Sequence, residues 1–348
     1  MSATAEGSSV MAGGMSARTV EVLSPGLLTT VQDLGRWGYA SQGLTQGGAL
    51  DQRAYRIGCI MLGEEPGSPA LEFVQVGPTL RFGCDARVCL TGGDFDARLD
   101  GRPVGRNRSL AVRAGQTLAI GRCRMGNVGY LCVAGGGFAV EPVMGSASTA
   151  PRCHLGGWQG RPLVKGDVLP LAENVPAASA VPPALEGLAF SSRLEGYGYG
   201  PGPLRIRAML GPHAGMFDEA SRAAFFESTF IVTRQGDRMG VRLDGPRLRA
   251  RTGTTDIVSE GMVAGAVQVS GAGLPMVMLA DHQVTGGYAV LAVVATADLP
   301  RLAQARPGTE LRFELIDVAE AQRLMRAMHD EERRLLSTVR LLAGEKGR

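Results

Sequence analysis

The chain has 348 residues and a formal net charge of +3, too long for one compact core and too nearly neutral to carry a nucleic-acid or membrane-surface footprint. Glycine accounts for 50 residues, about twice the usual ~7% share, which favours many short strands joined by tight turns. No run approaches about 18 apolar residues, and the first 18 residues are small, polar and without the apolar stretch of a signal peptide, so they read as a disordered lead on a cytoplasmic protein.

Period-two alternation begins at Val20. The segment "LDQRAYRIGCIMLG" breaks it and predicts a helix capped by Asp51. "SLAVRAGQTLAIG" alternates Leu110 and Val112 with Leu118 and Ile120 about an Ala-Gly pair, the signature of a hairpin. A stretch rich in Pro, Ala, Ser and Gly predicts a linker over residues 172–203. Its "GYGYGPG" is followed by a strand pattern, so it is not a dinucleotide fingerprint. Strands resume with "LRIRAML", "TFIVT", "GVRLDG", "GAVQV", "PMVMLAD", "YAVLAVV" and "ELRFELI", interrupted by short helices behind Asp218 and at Pro300. From about residue 319 the apolar period becomes helical. The expected architecture is mainly β: an N-terminal barrel over 19–171, a second barrel over 204–318, and a C-terminal helix and tail over 319–348.

Several chemistries are excluded cheaply. Lys165 and Lys346 are the two lysines, and neither stands in a phosphate-binding G-x-x-x-x-G-K-[ST] loop or in the Met-Lys-Met setting of a biotin carrier. The six cysteines lack C-x-x-C spacing and read as buried free thiols. The four histidines are far apart, so no metal is expected. The serines of "GSAST" lie in no G-x-S-x-G elbow, which argues against a serine nucleophile.

What remains is a set of polar groups beside glycines, where backbone amides can approach a ligand closely: Gln32, Asp33, Arg36 and Tyr39; Asp51 ending "QGGALD"; Glu72 in "ALEF"; Ser146, Ser148 and Thr149 ahead of Arg152; Asp237 and Arg238 in "QGDRMG"; Asp281, Gln283, Thr285 and Tyr288 in "LADHQVTGGY". Arginines, carboxylates and amides without a nucleophile suit binding of a small carboxylate or ureido group and stabilisation of an oxyanion. Asp33 with Arg36, and Asp237 with Arg238, read as well as fold-holding ion pairs, and Asp51 as a helix cap.

The ordered blocks "VLSPGLLTTVQDLGRWGY", "GGALD", "LTGGD", "YLCVAGG", "GSAST", "QGDRMGVRLDGP", "DIVSEGMVAGAVQV" and "MLADHQVTGGY" resemble the biotin-dependent carboxyltransferase family over about residues 20–316. That family includes allophanate hydrolase subunit 2, the C subunit of ATP-dependent 5-oxoprolinase and the antagonist of a sporulation-kinase inhibitor. The resemblance implies two cyclophilin-like barrels, a cyclophilin-fold partner of the subunit 1 type (the B subunit of such complexes), and an A subunit of the LamB/YcsF type. A free-standing chain of this kind is expected to serve ATP-dependent opening of 5-oxoproline to glutamate. The alternatives are carboxyl transfer from carboxybiotin, supplied in trans, to urea or a related amide, and a non-catalytic regulator of a subunit 1 partner.

By the same resemblance, Arg36, Arg152 and Arg238 hold or stabilise negative charge, and Asp33, Asp51 and Asp237 orient them or relay protons. Gln32, Tyr39, Glu72, Ser148, Thr149, Gln283, Thr285 and Tyr288 are expected to bind the substrate, and ATP to act in the assembled complex. The chain departs from the family pattern at Ala147 and Ala150, where relatives carry an arginine and a tyrosine. It also departs at Trp37, Gly47, Cys59, His154 and Ala289, where Gly47 replaces a serine.

Overall fold

The computed structural model describes residues 18–172, 183–185, 188–190 and 202–344. Residues 1–17 of the expected lead and most of the expected linker lie outside the described residues. The N-terminal half is a nine-stranded antiparallel sheet: β1 (Thr19–Ser24), β2 (Thr29–Gln32), β3 (Ala70–Val74), β4 (Thr79–Phe82), β5 (Ala86–Leu99), β6 (Arg102–Pro103), β7 (Ser109–Val112), β8 (Thr117–Val133) and β9 (Val168–Pro170). It forms a half-barrel rather than a closed one. Among the described residues of this half the α-helix is α1 (Gln52–Ile60); it starts where the sequence places it, with the Asp51 carboxylate accepting the Ala54 amide at 2.8 Å.

The C-terminal half closes fully. Its strands are β10 (Leu204–Leu210), β11 (Thr229–Val232), β12 (Gly240–Asp244), β13 (Asp256–Gly261), β14 (Ala266–Val269), β15 (Pro275–Met278), β16 (Thr285–Tyr288), β17 (Val290–Val294) and β18 (Glu310–Leu315). Seven of them form a barrel in the order β10-β17-β14-β15-β12-β11-β18, while β13 and β16 pair separately as a two-stranded arm. Three helices accompany it: α2 (Glu219–Glu227), capped by Asp218; α3 (Leu299–Ala303); and α4 (Val318–Leu342), capped by Asp317. The barrel strands run from Leu204 to Leu315.

The expected hairpin at "SLAVRAGQTLAIG" does not form. β7 pairs with the start of β5 (Ala86–Cys89), whereas the first residues of β8 pair with the end of β5 (Ala97–Leu99) and with β4. A 14-residue β5 presents edges at both of its ends, so the two alternating segments bind it at different places and not each other.

Period two in β8 decides how the halves join. Leu131 and Val133 pack into the N-terminal core with Leu71 and Phe73. Val128, Tyr130 and Cys132, on the opposite face, join α1 and the barrel interior in one continuous core. The sheet therefore has two buried faces. Gln304, just after α3, fixes the joint: its Nε2 donates to Asp51 Oδ2 at 2.7 Å and Val128 O at 2.9 Å, and its Oε1 accepts the amides of Asn127 at 2.8 Å and Val128 at 3.1 Å. The amphipathic tail does not rest on the barrel alone. α4 lies along α1 through Arg53–Glu331 and Arg56–Glu332, each at 2.8 Å, and buries Val339 in the shared core.

Burial of the Asp51 carboxyl, opposed by its bonds to Gln304 and Ala54, pushes its pKa up to about 6. A folded value raised above the unfolded 3.8 stabilises the fold fully below pH 3.8, and that contribution is lost as pH rises through 6. The stability of the wild type relative to Asp51→Asn is expected to fall by about 2 kcal/mol between pH 4 and pH 7. Urea unfolding of both proteins across that range checks it, and parallel curves would refute it.

Candidate functional site at the seam

The turn joining β11 to β12 carries Arg238 into the N-terminal half. The Asp237 carboxylate accepts the Met239 amide at 2.8 Å, which tightens the turn, and the Asp281 amide donates to the Arg238 carbonyl at 2.9 Å. That backbone bond sets the two side chains face to face. Arg238 Nε and Nη2 donate to Asp281 Oδ2 and Oδ1 at 2.7 and 2.9 Å, the bidentate geometry that suits guanidinium. Its Nη1 pairs with Glu72 Oε1, and Nη2 also donates to Gly48 O at 2.6 Å.

Glu72 is placed by register. It lies opposite Tyr130 across β3 and β8, and its neighbours Leu71 and Phe73 face the N-terminal core, so Glu72 faces the seam. Tyr130 Oη donates to Glu72 Oε2 at 2.6 Å, and the Leu50 amide donates to the same oxygen at 2.8 Å. Burial lowers the Arg238 pKa, but the charges of Asp281 and Glu72 outweigh it and hold the guanidinium above its ordinary value.

Arg36 behaves differently. It is 2% exposed, and its Nη2 donates to Ser148 O at 2.6 Å. Its Nε and Nη1 are buried without a hydrogen-bond partner. Burial lowers its pKa, opposed by the charges of Asp33, Asp281 and Cys153. Asp33 does not pair with it. Asp33 instead accepts the Gly35 amide and Ser146 Oγ at 2.7 Å, the Ala147 amide at 2.6 Å, and the Ser148 hydroxyl. The carboxylate thus shapes the serine loop that in turn holds Arg36. Gly156, at φ +64°, packs over the Arg36–Ser148 bond so closely that a Cβ there would lie 2.7 Å from Arg36 Nη2. Glycine is required at that position.

The other sequence candidates divide by place. Gln32 Nε2 donates to Thr30 Oγ1 at 3.0 Å and Thr149 O at 3.2 Å, and Thr149 Oγ1 donates to Val31 O at 2.9 Å, so both residues brace the serine loop. Asp51 is a helix cap whose second oxygen accepts from Gln304, within the joint between the halves. Arg152 and Asp237 meet at 3.1 Å across the two halves, but their side chains are 66% and 57% exposed. Tyr39 is half-buried in the loop after Arg36, beside Trp37 at 69% exposure. Thr285 and Tyr288 lie exposed on the arm, and Gln283 donates to Gln268 at 3.2 Å at its base. These three are not brought to Arg36.

Asp281 stood among the polar turn groups but outside the candidate set, and Tyr130 and Gln304 were missed. Tyr130 was within reach of sequence reasoning, because it alternates with Leu131 and Val133 in a strand whose two faces are both apolar. Among the described residues no group of three or more His, Cys, Asp or Glu side chains is arranged to hold a metal.

Replacing Arg238 by alanine leaves Glu72 and Asp281 buried without a counter-charge. A loss of about 3–5 kcal/mol of stability is expected, against at most about 1 kcal/mol for Arg152→Ala, whose ion pair faces water. Denaturant titration of the two variants checks the contrast, and equal losses would contradict it.

Residues 42–315 match the family model described as "Carboxyltransferase domain, subdomain A and B". The chain is 37% identical over 314 residues to the C subunit of 5-oxoprolinase from Escherichia coli, covering 90% of this chain and 96% of that protein. It is 36% identical over 309 residues to the C subunit of 5-oxoprolinase from Haemophilus influenzae, covering 88% of this chain and 94% of that one. Its fold superposes on the crystal structure of the Kluyveromyces lactis urea carboxylase with a TM-score of 0.83 at 28% identity, over 93% of this chain, which spans only 30% of that longer one. With a half-barrel and a closed barrel joined through a buried ion-pair seam, the chain belongs to the carboxyltransferase domain A and B family.

Proposed function

We propose that this chain is the C-type component of an ATP-dependent 5-oxoprolinase complex, which opens the lactam of 5-oxoproline to glutamate, and that the seam around Arg36 is its share of the reacting site. The observation that carries the reading is the match to the E. coli 5-oxoprolinase component at 37% identity over 96% of that relative, which leaves no room there for a further domain. The complex would include a B subunit of the subunit 1 type and an A subunit of the LamB/YcsF type, and would act in the cytoplasm.

The chain's own contribution follows from its charges. Attack on a lactam carbonyl moves negative charge onto the oxygen, and a buried donor without a competing partner stabilises that charge more than a solvated one does. Arg36 offers Nε and Nη1 in that state. Arg238, Glu72 and Asp33 are positioning residues that hold the loops around it. ATP supplies the driving force in the assembled complex. The seam itself does not fit a triphosphate, because three carboxylates (Asp33, Glu72, Asp281) face two guanidiniums (Arg36, Arg238).

A second reading, carboxyl transfer from carboxybiotin in trans to urea or a related amide, is favoured by the likeness to the K. lactis urea carboxylase. Co-expression with the cognate A-type and B-type components, followed by an assay of ATP-dependent glutamate release, separates the two. The first reading expects release, with kcat lowered about 10²–10³-fold by Arg36→Gln. Carboxybiotin-dependent carboxylation of urea without glutamate release would replace it by the second.

A further inference from the structure

Irregular pairing in β5 opens a cavity of about 60 Å³ on the core side of the N-terminal sheet. Two backbone bonds, from the Val104 amide to Ala97 O at 3.0 Å and from the Asn107 amide to Leu90 O at 2.6 Å, pin the returning chain at unequal spacing. Residues 91–96 of β5 thus stand opposite residues 105–106, and the longer stretch bows away. Phe73, Leu90, Phe95 and Val104 wall the space, with the Phe73 and Phe95 rings edge to face at 4.9 Å. Asp94 and Arg106, both half-buried, are its charged lining residues. Arg106 Nη1 donates to Gly92 O at 2.9 Å. Among the described residues the Asp94 carboxylate makes no hydrogen bond or ion pair. Asp94 ends the "LTGGD" block and lies outside the seam.

We infer that this cavity binds a small aliphatic α-amino acid, whose side chain fills it, whose ammonium pairs with Asp94 and whose carboxylate lies toward Arg106. Size sets the first limit. At about 10–15 Å³ per water-sized group, the cavity takes about four or five heavy atoms, a valine-sized side chain with its α-carbon. The walls set the second: they are apolar and would strand a further charge without a partner, which excludes glutamate and other acidic amino acids. Charge sets the third, because a bare amine meets its like charge in Arg106 and a bare carboxylate meets its own in Asp94, whereas a zwitterion opposes both. The cavity is distinct from the seam. β3 turns Glu72 toward the seam and Phe73 toward the cavity, so the two share a strand but no residue, and binding in the cavity is independent of what the seam turns over.

Titration calorimetry of the full chain with L-valine, isobutylamine, isovalerate and L-glutamate tests the site. The two middle ligands are valine without its carboxylate and valine without its ammonium. Valine is expected to bind, each analogue about tenfold more weakly or worse, the worth of one charge-assisted hydrogen bond, and glutamate not at all. Asp94→Asn is expected to weaken valine by a similar factor, and Val104→Phe, which fills the hollow, to abolish its binding. Thermal melting of both variants checks their folds. Asp94→Asn keeps the side-chain shape at a half-buried position, so it carries the test even where Val104→Phe fails to fold. Isobutylamine or isovalerate binding as tightly as valine overturns the zwitterion, and valine binding untouched by Asp94→Asn overturns the site. No binding of valine at millimolar concentration, with a raised melting temperature for Val104→Phe, marks the cavity as a packing defect and overturns the inference on the wild-type protein alone.

Discussion

The Arg238 guanidinium, taken out of water and shared between Glu72 of the N-terminal sheet and Asp281 of the barrel half, is the interaction on which the rest of the structure depends. A charge in that position is tolerable only with its partners in place. The turn that presents it, the strand register that turns Glu72 inward and the backbone bond that brings Asp281 alongside are therefore mutually constrained. Apolar contact between the halves supplies much of the adhesion, since one core runs from α1 through the inner face of β8 into the barrel. Apolar contact alone tolerates sliding, whereas a bidentate pair with a second carboxylate and a backbone carbonyl fixes a single alignment.

That alignment leaves one cation less completely served. Arg36 is as deeply placed as Arg238, yet it spends one nitrogen on Ser148 and holds two without partners. The acidic residue nearest to it in sequence is occupied with the serine loop. Structural guanidiniums in a packed interior are normally saturated, because an unmade bond to a buried donor costs more than a made one contributes. The contrast between the two arginines separates the group that holds the fold from the group that is free to hold something else.

How much of this was legible in the sequence varies with the range of the interaction. Strand alternation, the caps at Asp51 and Asp218 and the C-terminal helical stripe all depend on neighbours a few residues apart, and the sequence displays them. The hairpin expected across Ala114 and Gly115 is absent because alternation tells which face a residue takes, not which strand it joins; β5 is long enough to pair with both segments. Among the site candidates, Arg36, Arg238 and Glu72 were visible as polar residues in glycine-rich or apolar surroundings. Gln283, Thr285 and Tyr288 carried the same local signature, yet they stand on the arm or at its base.

The sequence by itself determined the β-rich class, the family and the types of side chain at hand, because composition, period and ordered motifs are local properties. Only the tertiary structure decided which of those side chains meet. Glu72 and Arg238 are separated by 166 residues, and their contact exists because a second buried face on β8 forces the barrel against the sheet. The same packing buried Arg36 behind Gly47 and beside Asp281, a juxtaposition that no spacing along the chain encodes.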